Sequence, residues 1–348
     1  MAKPTLRDVA TVAGVSVGTV SYALNGKGRV DPDTRERIRR IATELGYAAD
    51  PVARGLRSGR TATLGMALGT VIGQRRDDIL SFEWYGRVTT AAAQAAFEAE
   101  HGLLLLPAVH DAGQLRRMAF DGVIVVEPGE GDPRLAALAD LGVPAVALGR
   151  DPTGRIAHQV APDTDAAVAG LLDHLAAQGA ARITAVAPDM AWEWTDRSIA
   201  AYRRWCGARN IEPAAVRVPP PAQLSAGTMS ESARQAALQV LRDDPPDAIL
   251  ALGLGFGVGV LAAARELGLR VPHDLLLAQD SDEPALHATD PPITAVDLFP
   301  EAQARTAVAT LLELLRGGRL AGELNTPTEL RARASTALVR REWPSGSQ

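Results

Sequence analysis

The 348-residue sequence has one cysteine and few aromatic residues, 4% in all. Cys206 alone can form no internal disulfide and no thiolate cluster, so a reducing compartment is the expected setting. With so few aromatics, any group of them outside a core draws notice. A long apolar run is also missing. Residues 248–264 carry no charge, but they fall short of the roughly 20 residues of a membrane helix. Gly253, Gly255, Gly257 and Gly259 interrupt them, so a buried strand followed by a buried helix is expected there. No secretory leader is expected, because the N-terminal segment reads as charged and helical within a few residues. Serine, histidine and aspartate occur in neither a nucleophile elbow nor a metal-ligand spacing. Gly253-x-Gly255 lacks the glycine at 258 that a dinucleotide loop requires. Neither catalysis, nor a metal, nor a cofactor is therefore expected.

Charge is present but unevenly placed. The net charge is −5, yet residues 1–60 hold 11 Lys/Arg against 6 Asp/Glu, and the other 288 hold 25 against 35. A basic head on an acidic body favours a polyanion at one end only. The length predicts two or three packed units.

Within the basic head, Thr5 and Asp8 form a capping-box-like pair before the apolar positions Leu6, Val9, Ala10 and Ala13. Gly14 ends that helix, Val15 plugs the turn, and Ser16 caps a second helix over 17–24. This order predicts a helix-turn-helix. Val20 and Leu24 are expected to face inward, leaving Val17, Gly18, Thr19, Ser21, Tyr22 and Asn25 outward. That outer face is small, rich in hydroxyls and free of acids, which suits approach to phosphates and base edges. Asp31-Pro32 opens a third helix with the apolar stripe Ile38, Ile41, Ala42 and Leu45, ended by Gly46.

These segments resemble, without gaps, the headpiece of the LacI/GalR family of bacterial regulators: Thr5–Ala10, Ala13–Ser16, Thr19–Ser21, Leu24-Asn25 and Thr34-Arg35 through Tyr47. Pro51 to Ser58 resembles that family's hinge helix. The resemblance implies a hinge ordered when two copies meet on DNA, with Leu56 wedged into the minor groove and Ala53 and Arg57 beside it. It also implies that Val17, Gly18 and Tyr22 enter the major groove, with Thr5, Ser16, Thr19, Ser21 and Asn25 among the further DNA contacts. Gly18 departs from the usual polar side chain and leaves one base position without a direct reader.

From Thr61 onward short apolar runs alternate with helical stretches. Expected strands are 63–68, 103–107, 122–126, 143–148, 183–187, 248–252 and 275–278. Expected helices are 91–98, 165–177, 196–206, 230–241, 258–267 and 301–315. The alternation predicts an α/β body with parallel sheets, divided between two Rossmann-like lobes with a ligand cleft between them. The motifs Gly142-Val143-Pro144, Asp247–Leu250, Arg265–Pro272, Pro292–Asp297 and Pro327–Thr336 also resemble the family. They imply a type I periplasmic-binding-protein-like core crossed three times by the chain. The expected organisation is a headpiece at 1–47, a hinge at 48–60, a core at 61–340 and a tail at 341–348. Within the core, an N-terminal lobe at 61–160 and 295–322 faces a C-terminal lobe at 161–294 and 323–340.

The family places its effector between the lobes. The resemblance carries that role onto Asp280, Arg197 and Asp163. Phe82, Trp84 and Tyr85, and Trp192 and Trp194, follow expected strands and form a candidate stacking platform, or else pack into the core. Gly253-Leu254 stands where the family has Asn-Asp, which removes a polar contact. The implied protein is a cytoplasmic homodimer without a tetramerising heptad tail. Its partners would be a near-palindromic double-stranded operator and a small-molecule effector, a sugar or related polar metabolite, with no membrane. The competing readings are a solute-binding protein of a transport system and a regulator answering to a nucleoside or other non-sugar ligand.

Overall fold

The computed structural model describes residues 4–24, 28–47, 60–68, 82–106, 112–243, 245–320 and 322–337. The chain divides into two compact units, Met1–Ala62 and Thr63–Gln348.

The first unit is a three-helix bundle of α1 (Leu6–Ala13), α2 (Val17–Leu24) and α3 (Pro32–Glu44). Thr5 caps α1 and forms the full capping box: its amide donates to Asp8 Oδ2 at 2.7 Å, and the Asp8 amide returns to Thr5 Oγ1 at 3.4 Å. Gly14 takes the left-handed φ of 64° that ends α1. The amide of Thr19 donates to Ser16 Oγ at 3.1 Å and so fixes the start of α2. Asp31 caps α3 through the Thr34 amide, with Pro32 in the first turn. Val9, Ala13, Val20, Ala23 and Ile38 close the core, so Ala23 is buried more deeply than the half-buried Leu24.

The second unit holds two six-stranded sheets. The first runs β11-β5-β4-β3-β1-β2, all parallel, from β1 (Thr63–Ala67), β2 (Gly102–Leu105), β3 (Gly122–Val126), β4 (Ala145–Leu148), β5 (His158–Pro162) and β11 (Glu323–Thr326). The second runs β12-β10-β9-β8-β6-β7 from β6 (Ile183–Pro188), β7 (Ala214–Val218), β8 (Ala248–Ala251), β9 (Leu276–Gln279), β10 (Thr294–Asp297) and β12 (Glu329–Arg331); only β12 is antiparallel. Leaving the sixth strand aside, both sheets have the doubly wound order 2-1-3-4-5, whose switch point lies between its first and third strands.

Apolar clusters cover both faces of each sheet, as parallel sheets require. The first sheet is flanked by α4 (Glu83–Glu98), α5 (Ala112–Leu115), α6 (Pro133–Leu141) and α12 (Pro300–Leu315). The second is flanked by α7 (Thr164–Ala177), α8 (Glu193–Gly207), α9 (Ala226–Asp243), α10 (Phe256–Glu266) and the short α11 (Pro284–His287). Helices α9 and α10 pack backbone to backbone at Gly259, where an added Cβ would lie 2.0 Å from the Ser230 oxygen. The charge-free stretch is β8 followed by α10, and Cys206 is a buried free thiol.

The chain passes between the sheets after β5, after β10 and after β11. Two expected lobe borders therefore move. Residues 295–297 belong to β10 in the second sheet, and 323–326 form β11 beside β5 in the first. Helix α4 also starts at Glu83 rather than Ala91. Among the strands that hydropathy did not predict, β7, β11 and β12 are sheet edges, where pairing on one side leaves polar residues exposed.

Candidate functional site: a cleft between two sheets

A cleft of about 400 Å³ opens where the strand carboxyl ends of the two sheets meet. The first sheet contributes Glu127 and Gly129 to Pro133 after β3, Gly149 and Arg150 after β4, and Phe82, Trp84 and Tyr85 at the start of α4. The second contributes Asp189 to Trp194 after β6, Leu254 after β8, and Asp280 and Ser281 after β9. Both switch points thus face the same space, as binding in doubly wound sheets requires.

Two polar frameworks hold the walls. On one side Arg134 is 2% exposed. It pairs with Asp132 at 2.5 Å and donates to the carbonyls of Ala67 at 3.0 Å, of Leu68, and of Val126 at 3.4 Å. One guanidinium thus ties the ends of β1 and β3 to the head of α6. On the other side Gln279 is fully buried. Its Nε2 donates to Ser281 O at 2.8 Å and Glu283 Oε1 at 2.9 Å, while its Oε1 accepts from the Gly257 amide at 2.7 Å. Glu283 also accepts from the Gly255 amide at 2.6 Å, where Gly255 adopts a φ of 79°. This framework positions Asp280 and the start of α10.

Burial dominates the electrostatics. It pushes the Asp280 carboxyl up to about 7, against bonds from the Ser281 hydroxyl and the Gly253 amide. It pushes Glu127 up to about 7 as well, opposed by the hydroxyl that Tyr85 donates to it. Glu193 is raised by burial and held back by Arg150 and Arg197. A carboxyl whose folded pKa lies above its unfolded value stabilises the fold fully only below the unfolded pKa; that contribution is lost as pH rises to the folded pKa. We expect Asp280→Asn to raise the melting temperature of the core at pH 8 by about a few degrees and to change it little at pH 4. A thermal melt at both pH values checks this, and a lower melting temperature at pH 8 would contradict it.

Phe82, Trp84, Trp192, Trp194 and Asp280, all expected on sequence grounds, line the cleft. Trp192 and Trp194 stack at 5.7 Å with planes 23° apart, while Trp84 meets Tyr85 edge to face at 4.9 Å. Phe82 is also 5% exposed and packs into the apolar cluster of the second sheet, so packing and lining are both true of it. Two expected residues are not in the wall. Asp163 caps α7 through the Ala166 amide at 3.1 Å. Arg197 turns to Asp165 at 3.1 Å and Glu193 at 3.8 Å, because it lies one turn along α8 from Glu193. Glu127, Glu130, Asp132, Arg150, Asp189 and Glu193 line the cleft and were missed. Glu127, Arg150 and Asp189 follow strands that hydropathy did find, so extending each strand by two residues would have reached them.

In the three-helix unit, Thr5, Ser16, Val17, Gly18 and Tyr22 are exposed and Thr19 and Ser21 half-buried. Val17 and Tyr22 are 43% and 55% exposed. Gly18 has no positive φ, and a Cβ there would meet only Ser16 Oγ at 3.6 Å, so the fold does not demand glycine. Asn25, Ala53, Leu56 and Arg57 lie outside the described residues. Among the described residues no helix is long and apolar enough to cross a membrane, and no group of three or more metal-ligating side chains is found.

A helix-turn-helix unit joined in one chain to a two-sheet binding core defines a ligand-binding class of DNA-binding regulator. Residues 5–50 match the model of bacterial regulatory proteins of the lacI family, and residues 172–336 match a periplasmic binding protein-like domain. The regulator CelR of Thermobifida fusca is 30% identical over 341 residues, covering 94% of this chain and 95% of the relative. The regulator MalR of Streptomyces coelicolor is 30% identical over 360 residues, covering 95% and 96%. In fold, the chain is similar to the lac repressor dimer bound to operator and the anti-inducer ONPF, with TM-score 0.77 and 23% identity over 96% of this chain and 99% of that one. The CelR–cellobiose complex gives a TM-score of 0.68 at 24% identity over 95% and 99%. The chain belongs to the LacI family of bacterial regulatory proteins and is a transcriptional regulator with a helix-turn-helix DNA-binding domain.

Proposed function

We propose that the protein is a cytoplasmic homodimeric repressor that binds a near-palindromic operator and releases it when a sugar enters the cleft. The observation that carries the effector half is the wall of the cleft: stacked tryptophans beside carboxylates at both switch points. Flat aromatic faces take the apolar faces of a sugar ring, and carboxylates accept its hydroxyls. A regulator named CelR has been solved with cellobiose, and its fold matches this chain with a TM-score of 0.68, which favours a sugar over a nucleoside. Phe82, Trp84, Trp192, Trp194 and Asp280 are the contacts; Asp163 and Arg197 act by holding α7 and α8.

A ligand touching both sheets binds one closure of the lobes better than another and so shifts their equilibrium. Residues 48–60 act as the hinge that passes this shift to the headpiece at 1–47. Val17, Gly18 and Tyr22 face base edges. Thr5, Ser16, Thr19, Ser21 and Asn25 contact phosphates, and Ala53, Leu56 and Arg57 sit in the minor groove.

A gel shift against a randomised palindromic operator library, with and without cellobiose, tests the reading. A selected sequence released by sugar is expected, and the absence of any sequence preference would sink it. Gly18→Gln is expected to leave the headpiece as stable or to raise its stability by up to about 1 kcal/mol, since glutamine is the better helix former. In the same selection it should change the preferred base at one position of each half-site. An unchanged selected sequence would remove Gly18 from the base-reading face.

A further inference from the structure

The described lining of the cleft carries six carboxylates, those of Glu127, Glu130, Asp132, Asp189, Glu193 and Asp280, and one guanidinium, that of Arg150. Arg150 is already engaged: it pairs with Glu323 and donates to Pro162 O and Asn325 Oδ1, each at 3.2 Å, with its side chain 10% exposed. Asp132 is answered by Arg134, and Glu193 in part by Arg197. Among the described residues, Glu127, Glu130, Asp189 and Asp280 have no cation within 4.0 Å. Among the described residues, a neutral sugar entering this space would bring no counter-charge to them, and the buried Glu127 and Asp280 would be held further toward the neutral form.

We infer that the effector is a cationic sugar, one bearing protonated amines where ordinary sugars bear hydroxyls. The inference rests on the reading of the cleft as a sugar site. Carboxylates come from both sheets, Glu127 and Glu130 from the first and Asp189 and Asp280 from the second. An ammonium held between them gains charge-assisted hydrogen bonds from both lobes only when the cleft is closed. The aromatic walls add to this. The faces of Trp192 and Trp194 attract a cation through their quadrupoles, most strongly where water is excluded. Burial already raises the Glu127 and Asp280 carboxyls to about 7, so a bound ammonium would draw both back to the ionised form.

The test is calorimetric titration of the full-length protein with two disaccharides of one shape. One is cellobiose; the other is the β-1,4-linked disaccharide of glucosamine, near pH 7, where its amines and the Glu127 and Asp280 carboxyls can both carry charge. The amine form is expected to bind about tenfold or more tightly, the difference between a charge-assisted and a neutral hydrogen bond. In Glu127→Gln and Asp280→Asn, which keep a polar group of the same size, that ratio should fall toward one while operator binding is retained. Equal or tighter binding of cellobiose overturns the charge inference and leaves the sugar reading standing. Binding of neither disaccharide overturns both. A preference for the amine that both variants leave untouched overturns its assignment to these carboxylates.

Discussion

Replacing Arg134 by methionine is expected to cost the core about 3–5 kcal/mol, the range found when one partner of a buried ion pair is removed. The loss does not come from the missing charge alone. Asp132, whose side chain is 5% exposed, would remain buried with no cation, and the carbonyls of Ala67, Leu68 and Val126 would each lose a donor. The melting temperature should fall on the order of 10 °C for a domain of this size. The double change Arg134→Met with Asp132→Leu should recover part of it, because no unpaired charge is then left behind, while the three carbonyls still lack their donor and α6 loses its Asp132 cap. Its cleft, however, will be one carboxylate poorer and its β1 and β3 ends untied, so effector affinity should stay low. A thermal melt and a ligand titration on both variants separate the two effects. If the single variant melts within about 2 °C of the parent, the guanidinium does not hold these strands together.

The second large effect is expected in the first unit. Val20 is completely buried among Val9, Ala13, Ile38 and Ala42. Val20→Asp places a carboxylate there with no partner, at a cost of several kcal/mol. A unit of about 60 residues has a total stability of roughly 3–9 kcal/mol, so one such charge is comparable with the whole of it. Operator affinity should fall by more than about a hundredfold, which is 2.7 kcal/mol or more. Because Met1–Ala62 and Thr63–Gln348 form separate compact units, the ligand-induced thermal shift of the core should survive. Normal operator binding by Val20→Asp would mean that the bundle is not packed around this residue. Simultaneous loss of the ligand response would mean that the two units do not fold independently.

Much of the first unit was legible because its signals are local. A capping box, a left-handed glycine, a second cap and a Pro-headed helix each act within four residues, and each appears where it was read. The buried strands of the core were legible for a related reason. A parallel strand covered on both faces must be apolar throughout, as in Gly122–Val126 and Ala248–Ala251. Edge strands such as Glu323–Thr326 are set by pairing partners far along the chain, here β5, and their sequence does not announce it.

The scarcity of aromatics did point to the cleft, since Phe82, Trp84, Trp192 and Trp194 all reach it. Family position alone was a weaker guide to charge, for Asp163 became a helix cap and Arg197 an ion-pair partner outside the wall. The amino-acid sequence by itself determined the class of the protein: a basic helix-turn-helix on an acidic, doubly wound body. Only the tertiary structure decided the chemistry of the cleft. Residues 127, 150, 189 and 280 are far apart in sequence and face one another because two sheets present their carboxyl ends to one space. Burial there, and not the chain near each acid, raises Glu127 and Asp280.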